Sequence, residues 1–110
     1  DDESLMDAVT ALSGSGPGYV FLMVECLAKA GVAAGLEATL AMRLARMTVI
    51  GSGELMHRTS DDAGTLRRNV TSPGGTTEAA LKILMGEPGL EDLMIRAIAA
   101  AAQRSRELAG

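Results

Sequence analysis

Apolar residues recur along most of the chain at intervals of three or four, the period of α-helices that bury one face or more. The pattern predicts long helices at about 17–34, 36–57 and 90–108. Shorter helices are expected from the Ser60-Asp61-Asp62 cap to near Val70, and again after the threonine pair at 76–77. No segment alternates apolar and polar residues as a strand does, and none repeats. An all-α fold in a single domain, residues 1–110, is therefore predicted.

The segment 17–34 is apolar on nearly every side, with an unbroken apolar run from Tyr19 to Val24. Helices of this kind are buried all round or cross membranes. A membrane span fits poorly, because the segment barely reaches the needed length and carries Glu25 near its middle. A chain of 110 residues can hardly surround a central helix. We therefore expect a second copy of the chain to cover this helix.

Glycines and hydroxyl residues mark the remaining boundaries. Residues 1–12 are either a frayed linker end or a short helix, and 13–17 predicts a hinge in which Ser15 or Gly16 caps the next helix. Gly51 and Gly53 lie inside the second long helix, where each costs about 1 kcal/mol relative to alanine. They predict tight packing against another helix or, alternatively, local weakness.

The stretch 70–77 concentrates the candidate chemistry. Pro73 interrupts the preceding helix, and the glycine pair after it permits positive φ and bare backbone. Thr76 or Thr77 can cap the helix that follows. A glycine turn opening onto a helix N-terminus gathers unpaired N–H groups and the positive end of the helix dipole, which suits a carboxylate or a phosphate. An equally weighted alternative is a plain break between two helices.

Composition narrows the class of protein. The chain is 47% hydrophobic with a net charge of −4, and its only aromatic residues are Tyr19 and Phe21. This balance argues against a nucleic-acid partner, which would need a basic stripe with stacking aromatics. Cys26 is the only cysteine, so we expect no disulfide within the chain and a cytoplasmic location. Because Cys26 lies in the apolar segment 17–34, we expect it to be a small buried side chain. No residues have metal-ligand spacing, no secretory signal is present, and no membrane partner is expected.

Three segments resemble a known family: Asp7–Pro17, Asn69–Thr77 and Arg104–Leu108. The resemblance extends over almost the whole chain. Together they strongly resemble the C-terminal domain of pyrroline-5-carboxylate reductase. The resemblance implies an all-α, interlocked helical dimerisation domain like the C-terminal domain of 6-phosphogluconate-dehydrogenase-like reductases. It implies a homodimer, or a ring of dimers. An N-terminal Rossmann domain, absent from this chain, would bind NADPH or NADH.

The same resemblance implies reduction of the imine of 1-pyrroline-5-carboxylate to L-proline, the last step of proline biosynthesis. The loop would hold the substrate carboxylate, Thr77 would place its hydroxyl near the ring nitrogen, and a second segment would line the pocket near the nicotinamide. The implied carboxylate-binding residues are Ser72, Gly74, Gly75 and Thr76, and the implied nicotinamide-side residues are Ser13, Gly14, Ser15 and Gly16.

Two alternatives stand beside this reading. One is a free-standing helical oligomerisation or anion-binding module without catalysis. The other is the helical domain of a hydroxy-acid dehydrogenase, which would use a lysine as acid or base; Lys29 and Lys82 are poorly placed for that role. In the reductase reading, the chain by itself is expected to show no hydride transfer, because it lacks a dinucleotide site.

Overall fold

The computed structural model describes residues 2–110, and Asp1 lies outside them. Within this range the chain is helical, with no strand, which confirms the all-α prediction. The order is α1 Asp2–Val9, a π-helical turn Thr10–Gly14, α2 Gly16–Ala33, α3 Ala38–Arg58, α4 Ala63–Asn69, α5 Thr76–Leu84 and α6 Leu90–Ala109. The long helices begin and end within two residues of the predicted limits.

The chain divides into two compact units. One contains the residues up to Pro17 together with Arg67–Gly110, and the other is Gly18–Leu66. The first unit therefore holds α1, the π-helical turn, α5, α6 and the segment 70–75. The second holds most of α2, all of α3 and the start of α4.

In the second unit, α2 ends in a Schellman motif, the hydrogen-bonded turn that glycine makes at helix C-termini. The N–H of Leu36 donates to the carbonyl of Gly31 at 3.0 Å, and the N–H of Gly35 donates to that of Val32 at 3.0 Å. Gly35 has a φ of +111°, which only glycine adopts without strain. This turn reverses the chain, and α3 begins two residues after Leu36.

Small residues set the contact between α2 and α3. A methyl group added at Gly31 would lie 3.2 Å from the Cβ of Ala41, and Ala28, Ala41 and Ala45 are buried. By contrast, a methyl group at Gly51 or Gly53 would meet no atom of this chain within 4 Å. Within one chain the close helix contact is therefore at Gly31, and the packing expected at 51 and 53 stays a prediction.

Large apolar side chains of the second unit remain exposed. Phe21 and Ile50 are each 67% exposed, and both line a groove of about 390 Å³ between α2 and α3. Cys26 is exposed as well, so the expectation that it is buried is wrong for the single chain. Its helix is covered on too few sides to bury it.

Within residues 2–110, no helix is both long enough and apolar enough to cross a membrane.

In the first unit, α1 and the π-helical turn pack against α6. The Ser105 hydroxyl donates to Oδ1 of Asp7 at 2.6 Å, and Ala11 is fully buried. The hinge predicted at 13–17 is therefore wrong in part: residues 10–14 continue the helix as one wide π-helical turn, and α2 begins at Gly16. Packing on α6 keeps a helical path through a sequence that would favour a break.

Candidate functional site

The loop before α5 contains one well-defined turn. The N–H of Gly75 donates to the carbonyl of Ser72 at 2.9 Å, Pro73 occupies the second position, and Gly74 has a φ of +73°. Proline followed by a glycine of positive φ is the pattern of a type II turn. A side chain at 74 would meet no atom within 4 Å, so that face of the turn is open to a ligand.

The helix that follows begins without a side-chain cap. Gly75 is the cap residue, with φ −89° and ψ −174°, while Thr76 and Thr77 are the first two residues of α5. The expected threonine cap is therefore wrong, because the turn carries the chain into the helix one residue earlier. Among the hydrogen bonds of the described chain, the backbone N–H groups of Thr76 and Thr77 have no partner.

Exposure distinguishes the side chains of this loop. Ser72 and Thr76 are exposed, and Thr77 is half-buried. Two free N–H groups, a serine hydroxyl and a threonine hydroxyl thus belong to one turn and the first residues of one helix, with the positive end of the dipole of α5 behind them. This arrangement suits a small anion that also carries a hydrogen-bonding group.

Two of the backbone N–H groups implied for carboxylate binding already have partners. The N–H of Gly74 donates to Oε1 of Glu78 at 3.0 Å, and that of Gly75 donates to Ser72. The role of Glu78 was missed from the sequence. A signal for it exists: Glu78 stands three residues after the cap residue, the spacing of a capping box, although its bond goes to the residue before the cap.

A groove of about 320 Å³ borders the loop. Thr71 and Glu78 lie on its wall, together with the basic residues Arg67 and Lys82. The hydroxyl of Thr71 donates to the carbonyl of Arg67 at 2.6 Å, which ties the start of the loop to the last turn of α4. The loop is thus fixed at both ends, through Thr71 and through Glu78.

The segment implied to face the nicotinamide lies elsewhere in the same unit. Ser13 and Gly14 close the π-helical turn, with the Ser13 hydroxyl donating to the carbonyl of Val9 at 3.0 Å. Ser15 joins this turn to Gly16, the first residue of α2. Within the described range, no hydrogen bond links 13–16 to the loop 72–77. π-Helical turns inside α-helices are frequent at functional sites.

A helix N-terminus in the second unit is closed by its own chain. Oδ1 of Asp62 accepts a hydrogen bond from the N–H of Thr65 at 2.7 Å. The backbone N–H of Thr65, with its side chain, stabilises the ionised carboxylate and holds the pKa of Asp62 below its usual value of 3.8. Asp62 thus occupies the position that an external anion would take.

Metal binding has no candidate in the part of the chain that the structure describes, where no three His, Cys, Asp or Glu residues come together. The free donors before and within the first turn of α5 remain as the candidate site.

The fold is that of a helical dimerisation domain from a family of reductases. Residues 3–108 match the family model for pyrroline-5-carboxylate reductase dimerisation. The chain belongs to this family and is its C-terminal dimerisation domain.

Individual relatives agree with the family match. The chain is 51% identical over 108 residues to the pyrroline-5-carboxylate reductase of Arabidopsis thaliana, covering 97% of this chain and 38% of that protein. It is 47% identical over 109 residues to the reductase of Pseudomonas aeruginosa, covering 99% of this chain and 40% of the relative.

Solved structures give the same result. The pyrroline-5-carboxylate reductase of Coxiella burnetii superposes with a TM-score of 0.90 at 42% identity, covering 98% of this chain and 40% of that one. The NADP-bound enzyme of Plasmodium falciparum superposes with a TM-score of 0.89 at 34% identity, covering 97% and 40%. The chain thus spans about two-fifths of the length of these relatives.

Proposed function

We propose that this chain supplies the substrate-carboxylate loop and the dimer interface of an enzyme that reduces 1-pyrroline-5-carboxylate to L-proline, the last step of proline biosynthesis. The observation that carries the proposal is the pair of unpartnered N–H groups at Thr76 and Thr77. Relatives of 47–51% identity are named pyrroline-5-carboxylate reductases, which favours this function over an oligomerisation module without catalysis.

In the proposed complex, the substrate carboxylate lies over the first turn of α5. It accepts hydrogen bonds from the N–H groups of Thr76 and Thr77 and from the Ser72 hydroxyl, and the helix dipole favours its charge. Gly74 and Gly75 shape the turn and, lacking side chains, let the carboxylate approach the backbone. A side chain at Gly75 would come within 3.2 Å of the Ser72 carbonyl oxygen and crowd the turn.

The Thr77 hydroxyl is proposed to hydrogen-bond the ring nitrogen of the substrate. A bound NADPH or NADH supplies the hydride, and the NADP-bound Plasmodium structure supports a pyridine nucleotide in this family. The imine nitrogen must carry a proton when its carbon is reduced. Threonine is a weak acid, so Thr77 orients the ring and relays a proton from water.

Ser13, Gly14, Ser15 and Gly16 are proposed to line the nicotinamide side of the pocket. These residues fit a planar ring, because Ser13, Gly14 and Ser15 are exposed and a methyl group at Gly16 would meet no atom within 4 Å. Most of the cofactor would be held by a Rossmann domain.

Replacing Thr77 tests the mechanism in the complete reductase that carries this domain. Thr77→Ala removes the hydroxyl but not the backbone N–H, so we expect kcat to fall about tenfold or more with a smaller change in KM. Thr77→Ser keeps the hydroxyl and should stay within about threefold of the unchanged enzyme. Steady-state oxidation of NADPH by 1-pyrroline-5-carboxylate measures both variants. Equal rates for all three proteins would remove Thr77 from the reaction.

Self-association is the second part of the proposal. The family is one of dimerisation domains, and apolar side chains such as Phe21 and Ile50 are left exposed by the single chain. Exposed patches of large apolar residues mark protein–protein contacts. We propose that two chains interlock through α2 and α3 in a homodimer, with rings of dimers as a further assembly.

The lone cysteine favours a reducing compartment such as the cytoplasm.

Sedimentation at micromolar concentration tests this association. We expect a mass of two chains or a multiple of two, because association with a second chain buries the exposed apolar faces of α2 and α3. A single-chain mass at this concentration would contradict the proposed interface.

A further inference from the structure

The carboxylate of Glu78 bonds a backbone N–H group and not the lysine one turn further along α5. It stands in the first turn of α5, is half-buried, and accepts the Gly74 N–H on Oε1 at 3.0 Å. Lys82 lies four residues further along the same helix, the spacing and direction that favour a Glu–Lys ion pair. No such pair forms within residues 2–110, although both side chains line the same groove.

The bond from Gly74 spans the Ser72–Gly75 turn and the first turn of α5. Gly74 is the turn residue with positive φ, and glycine at this position can move to other conformations at little cost. A hydrogen bond to an ionised carboxylate is stronger than one between neutral groups. Glu78 therefore restricts the turn residue that has a positive φ.

We infer that Glu78 is a positioning residue for the substrate carboxylate: by holding the Gly74 N–H, it fixes the Ser72 hydroxyl relative to the open N–H groups of Thr76 and Thr77. The inference rests on the proposed function. Glu78 touches neither substrate nor cofactor in this scheme. It acts through the geometry of the turn, and it also directs the Gly74 N–H away from the ligand.

The charge of Glu78 works against its geometric role. An ionised side chain beside the carboxylate position repels the substrate, because like charges at short range disfavour each other. Glutamine offers the same acceptor oxygen at the same reach without this charge. Aspartate keeps the charge but is one methylene shorter, and so loses the reach to Gly74. These two substitutions separate the position of the acceptor from its charge.

The experiment measures steady-state kinetics of the complete reductase with Glu78→Gln, Glu78→Asp and Glu78→Ala. We expect the Asp and Ala variants to raise KM for 1-pyrroline-5-carboxylate about tenfold, as for loss of one positioned hydrogen bond, with KM for NADPH unchanged. The Gln variant should keep KM within about threefold of the unchanged enzyme, or lower it, because the acceptor remains. Thermal unfolding of each variant identifies a loss of folding.

Glu91→Ala is the matched control, since Glu91 is an exposed carboxylate in the first turn of α6 and makes no hydrogen bond among those of the described residues. It should leave both KM values unchanged. The inference is overturned if Glu78→Asp leaves KM unchanged, or if Glu78→Gln is as impaired as Glu78→Asp. An unchanged enzyme that does not reduce 1-pyrroline-5-carboxylate would instead overturn the proposed function.

Discussion

The N-termini of α4 and α5 satisfy their first backbone donors in different ways. At α4, Asp62 bonds the N–H of Thr65 at 2.7 Å, so the chain supplies its own anion. At α5, the cap residue is Gly75, which has no side chain, and the N–H groups of Thr76 and Thr77 stay open. Both helices present the same dipole and the same orphan donors. Among the described residues, a side chain accepts one of these donors at α4, and no side chain accepts any of them at α5.

A glycine at the cap position leaves the first N–H groups of a helix without a side-chain acceptor from that residue. At α5 the carboxylate of Glu78, itself in the first turn, accepts the N–H of Gly74, and within residues 2–110 it makes no hydrogen bond to the N–H groups of Thr76 or Thr77. α6 also begins after a glycine without a side-chain cap, but Glu91 and Asp92 place two negative charges in its first turn. Among these three helix starts, α5 is therefore the one best suited to an external carboxylate.

The largest effect is expected from giving α5 the cap that α4 has. Gly75→Asp puts a carboxylate where it can accept a free N–H group of the first turn, as Asp62 accepts that of Thr65. Because an attached anion competes at high effective concentration, KM for 1-pyrroline-5-carboxylate should rise about tenfold or more. Steady-state kinetics of the complete reductase measures the change.

Gly75→Ala is the control for that substitution. It brings the same crowding against Ser72, where an added methyl group lies 3.2 Å from the carbonyl oxygen, but no competing anion. We expect its KM to rise clearly less than that of the aspartate variant. Equal effects of the two would mean that crowding, not occupation of the N–H groups, impairs binding.

A smaller effect is expected from opening the capped helix. Asp62→Ala removes the acceptor for the Thr65 N–H and should lower the midpoint of thermal unfolding by about 2–5 °C, without changing KM. Circular dichroism measures the midpoint, and amide exchange within α4 shows whether the loss is local. A raised KM in this variant would contradict the assignment of substrate binding to α5 and not to α4.

The pH dependence follows from the lowered pKa of Asp62. Its stabilising contribution is present above the usual value of 3.8 and is lost as pH falls through the lower folded-state pKa. The stability difference between the unchanged protein and Asp62→Asn, which cannot titrate, should therefore be constant near neutral pH and shrink below 3.8. A carbon-detected titration of Asp62 with a midpoint at or above 3.8 would contradict the cap.

Much of the fold could be predicted locally. Apolar spacing gave the long helices, and the Pro73-Gly74 pair predicted a turn that the structure shows as type II. The π-helical turn at 10–14 could not be predicted, because glycine and serine there favour a break by themselves. Packing of Ala11 and the bond from Ser105 to Asp7, 98 residues apart, keep that segment helical.

Of the candidate site, the sequence by itself determined the ingredients: glycines that bend the backbone, hydroxyls beside them, and a helix that starts there. Only the tertiary structure decided which N–H groups remain open, because that depends on where Glu78 and the Ser72 carbonyl lie. Spacing predicts which donors exist. Their availability is settled by competing acceptors within hydrogen-bond distance, and those positions are fixed only when the turn and α5 have folded together.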